Sequence, residues 1–257
     1  MTDQLNKATL EAALSEVGVE TEVRFFEACD STNTEAKRMV ADGYKGSCLI
    51  VAEEQSGGRG RMGRSFYSPR ASGVYFTLLH RITADAADAV TLTCAAAVAA
   101  MRGILRSTGV QTSIKWVNDL LLDGRKVCGI LSESVTSPGG DRYVIIGIGI
   151  NLRPVDFPSE LCEIAGSIGN NEVARADLIA AVICELMPSL VDPRSRAWHA
   201  DYVSASCVIG RRIRWGREQD WKFGEATGID RDGRLLVRAD GGEIAALDSG
   251  EITLRTV

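Results

Sequence analysis

Short runs of apolar residues, separated by polar and glycine-containing turns, recur along most of the chain. Five of these runs are rich in branched and aromatic residues, which is typical of β-strands. The run at residues 47–53 is apolar almost throughout, which predicts a buried strand. The predicted strands comprise residues 23–27, 47–53, 73–81, 126–135 and 142–151.

Five other segments have the composition and the boundary residues of helices. Gly18 and Gly43 follow the first two, and glycine ends a helix readily because it tolerates a left-handed backbone. The longest segment, residues 86–107, is rich in alanine and has no proline, so we expect it to pack across a sheet. The predicted helices comprise residues 8–17, a segment that begins at residues 30–35 and stops at Gly43, and residues 86–107, 177–190 and 195–203.

Turn signals become dense in the second half of the chain. Asp123-Gly124 indicates a two-residue hairpin turn between the apolar residues 120–122 and the strand at 126–135. From Cys207 onward, short strands alternate with tight turns, which predicts a small β-barrel. We therefore expect an α+β domain at residues 1–206 and a β-barrel domain at residues 207–257.

Residues 55–64, which we call the arginine loop, carry the most candidate chemistry. They read Gln-Ser-Gly-Gly-Arg-Gly-Arg-Met-Gly-Arg, and no carboxylate occurs between Glu54 and Asp85. Glycine lets a backbone approach a ligand closely, and arginine pairs with carboxylate and phosphate groups. The loop is predicted to close over an anion, with a solvated basic turn as the alternative.

The arginine loop also matches the dinucleotide fingerprint Gly-x-Gly-x-x-Gly at residues 58–63. That fingerprint requires a strand before it and a helix directly after it. Residues 48–52 supply the strand, but Pro69 and the β-prone residues 74–79 follow where a helix is needed. We interpret the match as accidental, and a nucleotide-binding oxidoreductase as the weaker alternative.

Composition excludes several classes of function. The net charge of −5 argues against general nucleic-acid binding, and residues 207–257 hold as many acidic as basic residues. With only His80 and His199, a zinc site or a Ser-His-Asp triad is not expected. Seven scattered cysteines indicate reduced thiols. The absence of a signal peptide or a membrane-length apolar run predicts a cytoplasmic protein that does not bind membranes.

Two features leave two interpretations open. Thr32 and Glu35 have the spacing of a capping box, which is the favoured role, but Ser31 and Thr32 could instead turn their hydroxyl groups toward a ligand at the helix N-terminus. Gly147 and Gly149 interrupt a strand, either because a flat ligand lies on the sheet or because the sheet packs tightly there.

The arginine loop, the segment around Lys115 and the order of the two predicted domains together resemble the biotin protein ligases. The family pattern G-R-G-R-x-G-R matches residues 58–64 throughout, and K-W-P-N-D matches residues 115–119 with Val117 in place of proline. The resemblance covers residues 22–257 and implies a mixed β-sheet catalytic domain with helices packed on it, as in class II synthetases, followed by an SH3-like domain. Further matches are Ser-Thr-Asn at 31–33, Gly-Ile-Leu-Ser-Glu at 129–133 and Gly-Ile-Gly-Ile-Asn at 147–151.

The resemblance implies an ATP-dependent ligase that activates biotin as biotinyl-5′-AMP, with Mg²⁺ on the phosphates. Biotin then passes to a lysine of a biotin carboxyl carrier protein, a subunit of acetyl-CoA carboxylase or of a similar biotin-dependent enzyme. A lipoate or octanoyl ligase or transferase of the same superfamily is the alternative. The chain resembles the monofunctional class, which lacks an N-terminal DNA-binding domain, so no DNA partner is expected and a homodimer is the preferred assembly. Residues 1–20 hold no motif, and their removal is expected to leave catalysis largely unchanged.

The same resemblance assigns roles to individual residues. Lys115 and Arg61 are the expected catalytic residues, and Asp119 is either a ligand of the metal or a structural residue. Phe66 stands where many relatives have tryptophan, and Thr227 stands where some have an arginine that reaches toward ATP. The expected biotin-binding residues are Ser31, Thr32, Asn33, Gln55, Gly58, Arg59, Gly60, Arg61, Lys115, Gly129 and Gly147. The expected ATP- and adenylate-binding residues are Arg59, Arg61, Arg64, Phe66, Lys115, Asn118 and Asn151.

Overall fold

A seven-stranded mixed sheet forms the larger part of the computed structural model, which describes residues 3–82, 89–217, 220–248 and 252–254. The strand order is β1-β2-β3-β7-β6-β5-β4, with β1 and β2 parallel and the other neighbours antiparallel. This confirms the predicted α+β class and mixed sheet. The strands are β1 (Glu22–Phe26), β2 (Cys48–Ala52), β3 (Gly73–Ile82), β4 (Ser113–Lys115), β5 (Asp119–Leu122), β6 (Arg125–Thr136) and β7 (Arg142–Asn151).

Five helices flank the sheets within the described residues. Four lie close to their predicted positions; the predicted start of the third, at residues 86–88, lies outside the described residues. The fifth begins at His199 rather than at residue 195, because Arg196 has a φ of +53°, which a right-handed helix does not accommodate. The helices are α1 (Lys7–Glu16), α2 (Thr32–Ala41), α3 (Ala89–Thr108), α4 (Arg175–Val191) and α5 (His199–Ala205).

The two faces of the large sheet are covered differently. Helices α3, α4 and α1 contribute to the large apolar core on one face, against residues such as Val74 and Ile148. Contrary to the expectation from the sequence, one helix among the described residues, α3, is long and apolar enough to cross a membrane. Most of it is buried inside the protein, as is typical of a core helix. On the opposite face, α2 packs on Ile50, Leu79 and Ile145 and covers only one end. No helix within the described ranges covers the other end of that face, and the arginine loop lies over it.

Five further strands form an antiparallel sheet in the C-terminal part of the chain, in agreement with the predicted SH3-like domain. Trp116 Nε1 donates a hydrogen bond to the carbonyl oxygen of Gly233 at 2.9 Å, so a turn of the small sheet contacts the end of β4. The strands are β8 (Arg212–Arg217), β9 (Asp220–Ile229), β10 (Leu235–Ala239), β11 (Ile244–Leu247) and β12 (Ile252–Leu254).

The hairpin turn predicted between β5 and β6 is confirmed. Asp123 and Gly124 have φ values of +51° and +78°, the paired positive angles that a type I′ turn requires. Because the turn holds two residues, it places Arg125 directly opposite Leu122 and brings the start of β6 beside β5.

Helix α1 contributes to the core, which gives a reason to revise the expectation for residues 1–20. Leu10 and Leu14 are buried, and the Asp3 carboxylate pairs with Arg175 at the start of α4. Burying a leucine side chain contributes roughly 1.5–3 kcal/mol. We therefore expect deletion of residues 1–20 to lower the melting temperature markedly, measured by circular dichroism. Melting at the full-length temperature would contradict this.

Candidate functional site

The N-terminus of α2 is held by a side chain from the arginine loop. The N-cap residue is Ser31 rather than Thr32, and its own side chain makes no capping hydrogen bond, so the predicted Thr32–Glu35 capping box is wrong. Instead, Gln55 Oε1 accepts hydrogen bonds from the backbone N–H of Thr32 at 2.9 Å and from its hydroxyl at 3.2 Å. Gln55, 23 residues away in the sequence, therefore accepts the hydrogen bond from the Thr32 N–H that a capping box would give to Glu35. Thr32 is buried and faces the protein interior.

A chain of polar side chains continues from Thr32 across the sheet face. Thr77 Oγ1 lies 2.7 Å from Thr32 Oγ1 and 2.6 Å from Asn33 Oδ1. On its other side, the Asn33 amide donates to Glu133 Oε2 at 3.1 Å, and Glu133 pairs with Lys37 at 2.7 Å. These contacts fix which end of the Asn33 amide faces Thr77 and which faces Glu133.

Glycines on β6 and β7 leave space above the sheet. The strand register aligns Lys115, Asp119, Gly129, Gly149 and Tyr75 across five neighbouring strands. Directly cross-strand neighbours project from the same face of a sheet. The row therefore runs along the face that α2 leaves open, with two glycines at its centre.

Two side chains occupy that space in this structure. A Cβ atom on Gly149 would lie 2.5 Å from the Phe66 ring, and one on Gly147 would lie 2.1 Å from Asn33 Oδ1. Gly147 thus makes room for the Asn33 side chain in this structure, whereas the sequence left open either a flat ligand or tight sheet packing at this position. The cavity that remains measures about 30 Å³, roughly enough for one or two water molecules. A larger ligand requires Phe66 or the arginine loop to shift.

The arginine loop folds back on itself as a tight hairpin. Phe66 N donates to Gly58 O at 2.8 Å, and Gly60 N donates to Arg64 O at 2.7 Å. A Cβ atom on Gly58 would lie 2.4 Å from the Phe66 carbonyl oxygen, so the two arms approach closely only because this residue is glycine. A short 3₁₀ turn, Arg61–Gly63, and then β3 follow, rather than a helix, which excludes the dinucleotide-binding fold.

Cations gather where the hairpin meets β5 and β6. Arg61 Nη1 lies 3.4 Å from Asn118 Oδ1, and burial lowers the pKa of the Arg61 guanidinium. Lys126 Nζ lies 2.6 Å from Asp119 Oδ1 and 5.9 Å from the centre of the Phe66 ring. Asp119 is thus paired with a lysine in this structure.

Lys126 lines the cavity, although neither the sequence pattern nor the family resemblance predicts a role for it. The signal was present, because the turn at Asp123-Gly124 places the first residues of β6 beside β5 and hence beside the Lys115–Asp119 motif. Its significance could not be recognised without knowing that Lys126 extends over Gly129 and Phe66.

The cavity brings together ten of the residues predicted from the sequence. Six others do not line it in this structure. Gly58 lies in the hairpin neck, Arg61 contacts Asn118 and Arg64 is exposed. Lys115 lies at the sheet edge, Asp119 pairs with Lys126, and Asn151 Nδ2 donates to Gly166 O at 2.9 Å. Their roles stay predictions. The predicted residues that line the cavity are Ser31, Thr32, Asn33, Gln55, Arg59, Gly60, Phe66, Asn118, Gly129 and Gly147.

Comparison with known proteins gives matches along nearly the whole chain. The sequence model of the Biotin/lipoate A/B protein ligase family matches residues 25–151, and that of the Biotin protein ligase C terminal domain matches residues 208–255. The Bifunctional ligase/repressor BirA of Bacillus subtilis is 34% identical over 254 residues, covering 92% of this chain and 77% of that protein. The Biotin--[acetyl-CoA-carboxylase] ligase of Mycobacterium tuberculosis is 29% identical, covering 86% of this chain and 85% of that protein.

Solved structures agree with the fold. The biotin protein ligase from Aquifex aeolicus in complex with biotin and ATP superimposes with a TM-score of 0.77 at 23% identity, covering 92% of this chain and 99% of that chain. The biotin protein ligase from Leishmania major in complex with biotinyl-5-AMP gives a TM-score of 0.60 at 23% identity, covering 88% and 98%. At this level of identity, the likeness concerns the fold.

Proposed function

This chain belongs to the biotin protein ligase family, and from that membership we infer that it is an ATP-dependent biotin protein ligase. The carboxylate of biotin attacks the α-phosphorus of ATP, which forms biotinyl-5′-AMP and releases pyrophosphate. A lysine amine of the carrier protein then attacks the carbonyl carbon of this mixed anhydride, which forms an amide and releases AMP.

The observation that best supports this function is the division of one cavity between neutral and cationic groups. Asn33 lies beside Leu131 and Glu133, whereas Lys126 lies beside Gly129, toward the start of the same strand. Biotin has a neutral ureido ring at one end and a carboxylate at the other, so its two ends match the two groups. The match of residues 208–255 to a biotin ligase domain favours biotin over lipoate, since the catalytic family includes ligases for both.

The first step brings a carboxylate to a polyphosphate, so fixed cations must offset the repulsion and the charge that develops on phosphorus. We assign this task to Arg59, Arg61, Lys115 and Lys126, with Arg64 on the nucleotide phosphates. The step needs no nucleophilic side chain, which accords with the scarcity of histidine.

The remaining predicted residues bind the neutral parts of the substrates. Hydroxyl and amide groups suit the donors and acceptors of the ureido ring, and glycine leaves room for flat groups. Phe66 would stack on the nucleotide, with less area than tryptophan offers. The residues proposed for the ureido ring are Ser31, Thr32, Asn33 and Gln55, with Gly58, Gly60, Gly129 and Gly147 allowing close approach; those proposed for the nucleotide are Phe66, Asn118 and Asn151.

Mg²⁺ is proposed to enter with ATP. Among the described residues, no group of three His, Cys, Asp or Glu side chains could hold a metal ion alone. Mg²⁺ in such enzymes is usually held by substrate phosphates and one or two carboxylates. Asp119 would be a single protein ligand of this kind once its pair with Lys126, 2.6 Å away in this structure, opens as Lys126 turns to the substrate. The ion would supply positive charge on the phosphates.

We propose a carrier domain of a biotin-dependent carboxylase as the acceptor, since the Paracoccus denitrificans and Mycobacterium tuberculosis relatives are named as ligases of acetyl-CoA carboxylase. We also propose a domain boundary between residues 206 and 207, a cytoplasmic location, a homodimer and no DNA partner.

The function is tested by incubating the protein with ATP, biotin and a biotin carboxyl carrier domain. We expect streptavidin to label the carrier on a blot. Omitting ATP, or replacing the carrier's target lysine with arginine, should abolish the label. If the protein attaches lipoate but not biotin to the carrier domain when each is supplied with ATP, the assignment is overturned.

A further prediction concerns release of the reactive intermediate. Arg61→Gly is expected to let biotinyl-AMP escape, because it removes a half-buried cation that contacts Asn118 and adds a flexible residue to the arginine loop. Loss of one charge-assisted contact corresponds to an increase of roughly tenfold or more in the rate at which biotinyl-AMP leaves the site. The measurement is biotin on lysines of unrelated proteins added to the mixture.

The matched control for this prediction is Met62→Gly. Met62 is exposed and has a φ of +57°, which glycine adopts readily, so this variant adds flexibility in the same loop without removing charge. Equal stray labelling by the two variants would mean that flexibility rather than the Arg61 charge controls escape.

A further inference from the structure

The base of the arginine loop is closed by one buried carboxylate. Glu53 directly follows β2, two residues before the loop begins at Gln55, and Ala71 stands two residues before β3. Glu53 Oε1 accepts a hydrogen bond from the backbone N–H of Ala71 at 3.0 Å. The chain therefore leaves and re-enters the sheet through residues that are joined to each other.

Ala71 is held from both sides in an unfavourable conformation. Its φ is +61°, a left-handed angle that is costly for a residue with a Cβ atom. Its N–H is bound by Glu53, and its carbonyl oxygen accepts from Arg153 Nη1 at 3.3 Å. Such a conformation persists only where its surroundings impose it, which indicates that these contacts set the path of the chain as it leaves the loop.

Glu53 is in turn held by distant parts of the chain. Arg175 Nη1, at the start of α4, donates to Glu53 Oε1 at 2.8 Å, and Arg175 Nε donates to Asp3 Oδ2 at 2.7 Å. Asp3 Oδ1 also accepts from the backbone N–H of Arg175 at 3.1 Å, and Arg153 Nη2 donates to the same carboxylate. We call Asp3, Glu53, Ala71, Arg153 and Arg175 the loop-base network.

The Glu53–Arg175 pair of the loop-base network is buried, whereas a second group of ion pairs near the base of the arginine loop is exposed. The side chains of Arg175 and Glu53 are 3% and 8% exposed. Glu54 pairs instead with Arg70, which also binds Glu27, and all three side chains are largely exposed. Removing one partner of a buried ion pair leaves an uncompensated charge, whereas exposed pairs contribute little. The inner pair should therefore control the loop base and the outer pair should not.

We propose that Glu53 and Arg175 are positioning residues for the arginine loop, and that Asp3 from the N-terminal segment completes their network. Neither residue lines the cavity; they act by fixing both ends of the segment that carries Arg59 and Phe66 to the cavity and Arg61 to Asn118. The consequence for substrate binding rests on the proposed ligase function, but the anchoring of the loop does not.

Trypsin cleavage tests the anchoring without any ligand, because the arginine loop contains three trypsin sites, at Arg59, Arg61 and Arg64. Cleavage of a folded protein reports how often the cleaved segment opens. We expect Glu53→Ala to raise the rate of cleavage in the loop about tenfold, and Glu53→Gln, whose amide oxygen can still accept from Ala71, to raise it less. Glu54→Gln, the neighbouring exposed acid, should leave the rate unchanged.

Two outcomes would overturn the proposal: wild-type cleavage rates in a folded Glu53→Ala protein, or equally fast cleavage of Glu54→Gln. If Glu53→Ala does not fold, the cleavage rate of Asp3→Asn tests the proposal instead. This variant weakens the contacts of Asp3 with Arg175 and leaves the Glu53–Arg175 pair in place. A selective rise of about threefold in loop cleavage supports the proposal, and an unchanged rate overturns it.

Steady-state kinetics then connects the anchoring to the ligase reaction. We expect Glu53→Gln to raise the KM for biotin several-fold with little change in kcat, since a merely destabilised protein would lose active enzyme and so lower kcat at constant KM. An unchanged KM, with altered cleavage, would overturn the positioning role in substrate binding. If the wild-type protein forms no biotinyl-AMP, the ligase assignment fails while the cleavage result still decides the anchoring.

Discussion

Replacing Lys126 with methionine is expected to slow the formation of biotinyl-AMP at least about tenfold while leaving the protein folded. Arg59 and Lys126 are the two cations among the residues that line the cavity. Hydrogen bonds to charged groups contribute roughly 1.5–3 kcal/mol, and about 1.4 kcal/mol corresponds to a factor of ten in rate. Methionine retains the length and much of the apolar stem of lysine, so the fall in rate can be attributed to the missing ammonium group. The measurement is pyrophosphate release from ATP and biotin.

Lys37→Met is a closely matched control for this experiment. Lys37 pairs with Glu133 at 2.7 Å and Lys126 pairs with Asp119 at 2.6 Å, and the two pairs have almost the same exposure. Both variants should lose a similar amount of thermal stability, but Lys37 does not line the cavity. Because Lys37 holds Glu133, which binds the Asn33 amide, the rates are compared at saturating biotin. If the two variants release pyrophosphate at equal rates, the loss is structural and Lys126 has no role in the chemistry.

Lys115→Ala is expected to reduce biotinyl-AMP formation by roughly ten- to one hundred-fold, again from the loss of one charge-assisted contact in the reacting complex. The fold should be preserved, because no hydrogen bond or ion pair joins the Lys115 ammonium to a residue that the structure describes. The backbone beside it is held independently, since Tyr202 Oη donates to Val117 O at 3.0 Å and Trp116 is bound to Gly233.

The two lysine variants together decide which ammonium group serves the reaction. Lys115 lies opposite Asp119 at the sheet edge, whereas Lys126 contacts the same aspartate from within the cavity. Near-normal pyrophosphate release by Lys115→Ala, with a large loss for Lys126→Met, would show that the assignment of Lys115 by resemblance was wrong. Losses in both would mean that the substrates draw Lys115 into the site.

The sequence by itself determined the features that depend on neighbouring residues. Strands β3 and β7 follow from their apolar, branched composition, and the turn at Asp123-Gly124 follows from the positive φ angles these residues tolerate. The arginine loop is recognisable because the backbone freedom of glycine and the anion-pairing guanidinium of arginine do not depend on the fold around them. In each case the cause lies within a few residues of the effect.

Only the tertiary structure decided which side chains meet. Gln55 replaces Glu35 at the N-terminus of α2 across 23 residues, Asn33 fills the space above Gly147, and Asp3 reaches Arg175 across 172 residues. Lys126 became a candidate only when the hairpin placed it over Phe66. The strand order, rather than any local pattern, brings these groups together. A buried polar group must find a partner wherever the fold places one, so such pairings are properties of the assembled sheet and cannot be derived from sequence spacing.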